Sequence, residues 1–439
     1  MRFCLTSLVY LALFSQPLLA ENGFSCGSVP PVSPLLRPMP EWDLVEKKAE
    51  PIDAKKTEYE FSVKGDGKNA FQLKVNKISS SVRPSRGTVV YLCGGPDQCM
   101  NDDFENVPPN MDVVVFDHIG LGKNASPSLT PEQMSVDSEA SIVGQVVDKL
   151  KLKNYVIYGQ SFGTTVAAKA TSILSQQSKI PKPSAVILEG VIGSRNYMHS
   201  ADGYARTAEK TWSLLNDSEK TAFRNAYKAV LSKLPAGKQD ELAGTLFAHL
   251  WYGPKHMADV LRRFPGQQDE YLADQNTTPS NTTLNPGDQR EYQSAGCETL
   301  NENWSNNARF FFDGIVKNLM YKNGDSAKVC GCRTTSRNYD SKDFQINSIP
   351  ILVIQGEFDP AIPIEQADYF YDHQTSATKR FLKIQNDGHF PTFTSLSSCV
   401  PQIYDAALAG DWTRLPTDQS GYFKCPSAEA SVNDPRAVH

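Results

Sequence analysis

The sequence lacks the marks of nucleic-acid-binding and zinc-binding proteins. Its 439 residues carry a net charge of −5 without a long Lys/Arg cluster, so nothing favours nucleic acid as a partner. None of its nine cysteines forms a Cys-x-x-Cys pair, which argues against a metal site. Charged residues make up 21% of the chain and hydrophobic residues 40%, which excludes global disorder. The length fits two domains, or one large domain with an insertion.

Residues 1–20 have the pattern of a secretory signal peptide. Arg2 supplies the basic end and Leu8 to Phe14 form the apolar core. Gln16-Pro17 interrupts the apolar run, which disfavours a transmembrane helix. We therefore expect a secreted or periplasmic protein without stable membrane association.

The remaining eight cysteines are an even number, which in an exported chain favours disulfides. We predict two local bridges, and the other pairings stay open. The predicted bridges are Cys93–Cys99 and Cys399–Cys425.

Continuous apolar runs alternate with helical patterns over much of the chain, which predicts a doubly wound α/β sheet with mostly parallel strands. An antiparallel hairpin of Tyr59–Val63 and Phe71–Val75 precedes it. The buried-strand runs are Thr88–Leu92, Val113–Phe116, Tyr155–Tyr158, Ala185–Leu188, Ile351–Ile354 and Phe381–Ile384.

Mostly helical patterns replace this alternation between residues 194 and 347, which predicts an inserted helical cap. The predicted helical stretches there are Ala205–Leu234, Asp240–Trp251, His256–Phe264 and Glu302–Lys322. The predicted organisation is a signal peptide at 1–20, a first core segment with a proline-rich arm at 21–193, the cap at 194–347 and a second core segment at 348–439.

Ser161 is the predicted nucleophile. It stands in Gly159-Gln160-Ser161-Phe162-Gly163, between an apolar strand pattern and a helical one, which is the context of a Gly-x-Ser-x-Gly nucleophile elbow. The flanking glycines allow the close backbone approach of a strained strand-to-helix turn. The pentapeptide alone also occurs by chance, so this interpretation depends on its context.

A serine nucleophile needs a base, and the base needs an orienting carboxylate. His389 follows the last buried strand and is the predicted base; a plain surface histidine is the alternative. Asp359 follows the Ile351 strand and is the predicted acid, which gives the chain order Ser, Asp, His. Glu357 is the second choice, and Asp387 lies too near His389 in sequence to be preferred.

The oxyanion formed by acyl transfer needs two backbone N–H donors. The sequence predicts Phe162, next to the nucleophile, as one source. Gly94 and Gly95, in the turn after the Thr88 strand, are the predicted source of the other. An ordinary Gly-Gly-Pro turn is the alternative for this second segment.

The chain resembles the prolyl and tripeptidyl aminopeptidase family of α/β-hydrolases in five motifs that occur in the family's order: Cys93-Gly94-Gly95-Pro96, Asp117-His118-Ile119-Gly120-Leu121-Gly122, Gly159 to Thr164, Gly356 to Pro360 and Gly388-His389. The Cys399 to Cys425 region resembles the tripeptidyl branch. Two motifs depart from the family: Cys93 and Asp97 replace the usual outer residues of the first, and His118-Ile119 replaces Gln-Arg in the second. These changes leave the triad intact.

The resemblance implies the α/β-hydrolase fold and a serine exopeptidase that releases a tripeptide, a dipeptide or a single residue from peptide N-termini. It implies no metal or organic cofactor. An aminopeptidase also needs a carboxylate for the substrate's α-ammonium group. Glu189 is the candidate at the rim of the site, a structural salt bridge is its alternative, and Asp202 and Glu298 are unranked cap candidates. A carboxylesterase acting on small esters is the alternative function, and the oligomeric state is open.

Overall fold

The computed structural model describes residues 42–65, 71–95, 99–101, 104–126, 129, 133–194, 200–277, 310–317, 339–415, 425 and 431–432. The predicted signal segment, residues 1–20, lies outside them, as does most of the proline-rich arm. Among the helices described, none combines the length and the hydropathy that a membrane span requires.

A ten-stranded sheet organises the molecule, in the order β1-β2-β3-β5-β4-β6-β7-β10-β11-β12. The six neighbouring strands from β5 to β11 are mutually parallel, and antiparallel strands extend the sheet at both edges. The strands are β1 (Trp42–Pro51), β2 (Lys56–Gly65), β3 (Phe71–Ile78), β4 (Thr88–Leu92), β5 (Asp112–Val115), β6 (Tyr155–Gln160), β7 (Val186–Glu189), β10 (Ile351–Gly356), β11 (Lys379–Ile384) and β12 (Ser431–Val432).

The central strands have the burial that their apolar sequences predict. Every residue of β4, β6, β7 and β10 is buried, as expected for parallel strands covered on both faces. The opening hairpin is confirmed, with Phe61 opposite Leu73 and Val63 opposite Phe71. The last residues of the predicted proline-rich arm join the sheet as an edge strand. Trp42–Pro51 is β1, whose backbone pairs with β2 along its length.

Helices cover both faces of the sheet. One apolar cluster includes α1 (Val136–Lys149), α2 (Phe162–Gln176) and α8 (Ile364–His373). A second cluster, on alternate strand positions, includes α9 (Val400–Ala409). The predicted mixed architecture of a mostly parallel sheet flanked by helices is confirmed.

Among the described residues between β7 and β10, in the range assigned to the cap, five helices share a separate apolar cluster. A capping box at Asn216 and Glu219 begins a new helix inside the stretch predicted as continuous from Ala205 to Leu234. The helices are α3 (Ser200–Ser213), α4 (Asp217–Lys233), α5 (Ala236–Ala248), α6 (Gly253–Arg263) and α7 (Gln268–Thr277). The division of the chain into domains stays a prediction.

The predicted helix over Glu302–Lys322 is wrong where the structure describes it. Residues 310–317 form a short antiparallel hairpin of β8 (Phe310–Phe311) and β9 (Val316–Lys317). Phe312, Asp313 and Gly314 all have positive φ in its turn, which a helix cannot accommodate. Phe311, Phe312 and Val316 are buried in the cap cluster, so the apolar residues that suggested a helix pack from a turn instead.

The structure contains both predicted local disulfides, Cys93–Cys99 and Cys399–Cys425. The first lies in the segment that follows β4. The second ties the residue before α9 to a distant part of the C-terminal segment. All four cysteines are buried.

Candidate active site

Ser161 occupies the turn between β6 and α2, with φ 51° and ψ −121°. This strained conformation is typical of a residue held for function. A Cβ at Gly159 would lie 2.6 Å from the carbonyl oxygen of Gly163, and a Cβ at Gly163 would lie 2.2 Å from that of Leu92. Both glycines are therefore required by close backbone packing, as the elbow motif predicts.

Asp359 and His389 meet at the carboxyl edge of the sheet, on the loops that follow β10 and β11. Nδ1 of His389 lies 2.6 Å from Oδ2 of Asp359, and neither residue is more than 2% exposed. The other carboxylate oxygen, Oδ1, accepts the backbone N–H groups of Ala361 and Ile362, each at 2.9 Å. These contacts fix the carboxylate and leave Nε2 of His389 as the free side of the ring.

Nε2 of His389 makes no hydrogen bond to any described residue. The ring packs on Gly190, where an added Cβ would lie 2.7 Å from Cε1. Gly190 follows Glu189, whose carbonyl accepts the backbone N–H of Ser161 at 2.8 Å. The sheet therefore brings Ser161 to the same edge as the His389–Asp359 pair.

The segment after β4 approaches Ser161 closely. A Cβ on Gly94 would lie 3.1 Å from Cβ of Ser161 and 3.7 Å from its Oγ. Gly95 has φ 114°, a conformation that glycine adopts without strain. Phe162, the other predicted donor residue, begins α2, so its N–H belongs to a helix N-terminus that carries partial positive charge. The predicted oxyanion residues therefore flank Ser161 on two sides.

The inserted helices contact the loops that carry Asp359 and His389. The backbone N–H of His389 donates to the carbonyl of Trp251 at 2.6 Å, and the Trp251 ring stands edge-on to the imidazole at 4.8 Å between centroids. On α3, a Cβ at Gly203 would lie 2.4 Å from the carbonyl oxygen of Pro360, and Thr207 donates to the carbonyl of Phe358 at 2.8 Å. The predicted acid and base are therefore both held from the cap side.

The predicted position of Glu189 at the rim of the site is wrong. Glu189 is fully buried, with Oε1 accepting the N–H of Thr392 at 2.6 Å and Oε2 accepting the hydroxyl of Thr392 at 2.8 Å. The Tyr158 hydroxyl and the Gln160 amide also donate to Oε2. Burial raises the pKa of Glu189, and these hydrogen bonds oppose the increase. Its contacts hold the segment after His389, and they leave no place for a substrate ammonium group.

The alternative acids do not contact His389. Glu357 is half-buried and accepts the N–H of Asn386. Asp387 is buried and accepts from Thr394 at 2.8 Å and from the N–H of Gly388. Burial raises the pKa of Asp387, and its hydrogen bonds oppose this. Geometry therefore favours Asp359 among the three carboxylates.

The two unranked cap acids remain unplaced. Asp202 lies within α3, but its side chain is outside the described part, and Glu298 lies outside the described residues.

Three polar residues near the site are missed by the sequence analysis. Gln355 donates to Oδ2 of Asp359 at 2.8 Å and accepts the N–H of Val191 at 2.8 Å, so it ties the acid to the end of β7. His118 and Glu139 form a buried pair beneath the β4 segment. The signal for His118 was its departure from the family motif, whereas Gln355 and Glu139 lie in ordinary strand and helix patterns.

One group of possible metal ligands occurs among the described residues, formed by Cys93, Cys99 and His118. The two cysteines are joined in a disulfide, so they do not offer thiolates to an ion.

The arrangement of the sheet decides the fold. The strands from β2 to β11 follow the order β2-β3-β5-β4-β6-β7-β10-β11, with β4 and β5 exchanged relative to the chain, and a serine elbow lies between β6 and α2. The chain has the α/β-hydrolase fold. Ser161, Asp359 and His389 follow one another in the order that this hydrolase fold predicts.

A comparison with protein-family models agrees with this fold. The family model for Abhydrolase_4, described as TAP-like protein, matches residues 319–410 of the chain. The match confirms the predicted resemblance to an α/β-hydrolase family with aminopeptidase-like members. No curated protein sequence matches the chain significantly.

Several solved structures are similar at low sequence identity. Proline iminopeptidase from Mycobacterium smegmatis is 15% identical over 78% of this chain and 96% of its own, with a TM-score of 0.43. The esterase EaEST from Exiguobacterium antarcticum is 15% identical over 77% of this chain and 96% of its own, with a TM-score of 0.39. A bromoperoxidase from Bacillus anthracis is 14% identical over 78% and 97%, with a TM-score of 0.40.

Proposed function

We propose that this α/β-hydrolase is a serine exopeptidase that releases short N-terminal units, a tripeptide, a dipeptide or a single residue, from peptides. The observation that carries the proposal is the buried His389–Asp359 pair, 2.6 Å apart, at the sheet edge that presents Ser161 on its elbow. The TAP-like family match and the five sequence motifs support peptides as the substrate class.

In the proposed reaction, Ser161 Oγ attacks the scissile carbonyl and Nε2 of His389 takes its proton. His389 then gives this proton to the leaving amine, and an acyl-enzyme remains on Ser161. Water, deprotonated by the same nitrogen, releases the acyl group as a short peptide or amino acid. The reaction requires no metal or organic cofactor, because the chain supplies nucleophile, base and oxyanion donors.

Asp359 holds His389 in the tautomer that the reaction needs. Its carboxylate accepts from Nδ1–H, which leaves Nε2 as the base. The N–H groups of Phe162 and of the Gly94-Gly95 segment stabilise the oxyanion, with Gly95 as the preferred donor. Loss of one such donor typically lowers kcat by about 10²–10³-fold.

A substrate panel on the purified chain tests this proposal against the esterase alternative. It should compare aminoacyl, dipeptidyl and tripeptidyl arylamides, their N-acetylated forms, and short 4-nitrophenyl esters. We expect one free-amine arylamide class to be cleaved and N-acetylation to abolish its cleavage. Ester hydrolysis with no arylamide cleavage would favour the carboxylesterase, a candidate supported by the full burial of the Glu189 carboxylate among protein donors.

Labelling with a fluorophosphonate tests the nucleophile separately. Wild-type protein should be labelled at Ser161, and Ser161→Ala should be neither labelled nor active. A folded wild-type protein that resists labelling would reject the serine mechanism and favour a binding protein on a hydrolase scaffold.

We also propose that the protein acts after export, in the periplasm or outside the cell. The signal-like segment at residues 1–20 and two disulfides in the described part support this. Peptides are the proposed partners, and neither nucleic acid nor a stable membrane association is part of the proposal. Mass spectrometry of the mature N-terminus in the exported fraction checks the cleavage after residue 20.

A further inference from the structure

His118 forms a second buried histidine–carboxylate pair, separate from the proposed triad. Its Nδ1 lies 2.5 Å from Oε1 of Glu139 on α1, and its Nε2 lies 3.1 Å from the carbonyl oxygen of Cys93. Neither side chain is more than 1% exposed. Burial of such groups is costly unless they are hydrogen-bonded, and here both ring nitrogens have acceptors.

The carbonyl of Cys93 controls the start of the Gly94-Gly95 segment. In a planar trans peptide, this carbonyl and the N–H of Gly94 lie in one plane, so fixing the carbonyl fixes the direction in which the segment leaves β4. Gly163 packs on the same carbonyl, which would lie 2.3 Å from a Cβ at that position. His118 therefore contacts the point where the segment after β4 packs against the start of α2.

His118 also contacts the other proposed donor residue. The Phe162 ring meets the imidazole edge-on, with 4.9 Å between centroids and an interplanar angle of 81°. Phe162 is 1% exposed, so this packing restrains the first residue of α2. A single buried side chain thus touches both segments that border Ser161.

We propose that His118 is a positioning residue for the oxyanion hole, oriented by Glu139. It holds the Gly94-Gly95 segment and the Phe162 N–H at a fixed separation and does not itself touch the substrate. This inference rests on the proposed serine hydrolase function. The Cys93 carbonyl can only accept, so Nε2 of His118 carries a hydrogen, and one further proton is shared in the contact between Nδ1 and Glu139.

Three substitutions at residue 118 separate positioning from simple packing. His118→Leu keeps bulk without a donor, His118→Asn is polar but too short to reach the carbonyl, and His118→Gln keeps both the reach and an N–H donor. The readouts are kcat and KM for 4-nitrophenyl acetate and the inhibition constant of phenylboronic acid, which forms a tetrahedral adduct on a reactive serine. Thermal unfolding of each variant reports its stability.

We expect His118→Leu and His118→Asn to lower kcat by about 10- to 100-fold with KM changed less than about threefold, because only transition-state contacts are lost. The inhibition constant of phenylboronic acid should rise by the same factor as kcat falls. His118→Gln should restore most of both losses, since its amide can donate to the Cys93 carbonyl.

A purely structural pair would lower the unfolding temperature and leave kcat and boronate affinity unchanged in the folded variants. That result for either His118→Leu or His118→Asn would overturn the proposal. If neither variant folds, His118→Gln decides alone, because a full loss of boronate affinity in it would refute the donor role. Wild-type protein that resists fluorophosphonate would refute the serine mechanism instead, so the two failures are distinguishable.

Discussion

Asp359 accepts hydrogen bonds from four donors: two backbone N–H groups, the Gln355 amide and His389. Three of them fix the carboxylate before His389 is considered. The imidazole is thereby oriented by a rigid acceptor and not by a flexible surface side chain. Catalysis through His389 should therefore be sensitive to the chemistry of this carboxylate more than to its size.

Asp359→Asn should lower kcat by about 10³- to 10⁴-fold with little change in KM, because an amide can stabilise the wrong imidazole tautomer while preserving shape. Steady-state kinetics on the best substrate of the panel measures the effect. The matched control is Glu357→Gln, two residues earlier on the same loop, which should stay within about threefold of wild type because it makes no contact with His389. Equal losses in the two variants would contradict the assignment of the acid.

The elements around the triad are bound tightly to the inserted helices. A Cβ on Gly388 would lie 2.1 Å from the carbonyl oxygen of Trp251, and a Cβ on Gly253 would lie 2.6 Å from the Gly388 nitrogen. Backbone therefore packs on backbone where the helical insertion meets the His389 loop. No side chain can be added there without moving the base.

Gly388→Ala should destabilise the protein by about 1–3 kcal/mol and lower kcat at least 10-fold, because the added methyl group displaces the His389 loop. Urea unfolding and steady-state kinetics give the two values. The control is Gly266→Ala, where an added Cβ has no atom within 4 Å, and it should change stability by less than about 0.5 kcal/mol. A folded Gly388→Ala variant with the kcat of wild type would contradict the expectation that the packing at Gly388 positions His389.

The short helix His249–Tyr252 and α6 share a pair of half-buried histidines, with Nδ1 of His249 lying 3.1 Å from Nε2 of His256. Burial lowers the pKa of His249 to about 3 and that of His256 to about 4. Their unfolded pKa is about 6.5, so below this pH the unfolded state binds more protons than the folded state. Stability linked to the pair is thus fully present above the unfolded pKa and is lost progressively as pH falls from that value to the folded pKa values.

Between pH 6.5 and 5 each histidine should cost up to about 2 kcal/mol of unfolding free energy. The double variant His249→Asn, His256→Gln should therefore lose less stability than wild type over this interval. Urea unfolding at several pH values measures the two slopes. If the unfolding free energy of the double variant falls as steeply with decreasing pH as that of wild type, the two histidines are not the cause of the loss.

Among the elements of the fold, the sequence predicts those that depend on hydrophobic periodicity and on the order of motifs along the chain. The central strands, the elbow at Ser161 and the order of Asp359 and His389 follow from local patterns. The burial of Glu189 does not follow from a local pattern. Its carboxylate accepts hydrogen bonds from Thr392, which lies 203 residues away in the sequence, and a single sequence does not show such a contact. The break before α4 and the hairpin near Phe312 were also missed, since capping and packing overrode helical periodicity there.

Across the whole molecule, the two disulfides close loops of different length near different parts of the structure. Cys399–Cys425 spans 26 residues and joins the C-terminal segment to the start of α9. Cys93–Cys99 spans only 6 residues, beside the Gly94-Gly95 segment. The two bridges should therefore contribute differently to stability and to activity.

Replacing both Cys399 and Cys425 with Ser should cost about 3.5 kcal/mol of stability, and replacing Cys93 and Cys99 should cost about 2 kcal/mol, as loop-closure entropy predicts. The Cys93 and Cys99 double variant should nevertheless lose more activity, because it removes a restraint on the Gly94-Gly95 segment, which is proposed to bind the oxyanion. Unfolding free energies and kcat for both double variants test this. Equal losses of activity in the two double variants would contradict the expectation that Cys93–Cys99 restrains the Gly94-Gly95 segment.

The packing of the inserted helices on the loops that carry Asp359 and His389 has a consequence for enzyme engineering. Gly203 packs on the peptide after Asp359, and residues 251–253 pack on the peptide before His389. Replacing the inserted helices with those of another hydrolase, in order to change specificity, would remove the contacts that hold both the Asp359 loop and the His389 loop. A functional chimera must therefore retain these two contact segments from the recipient.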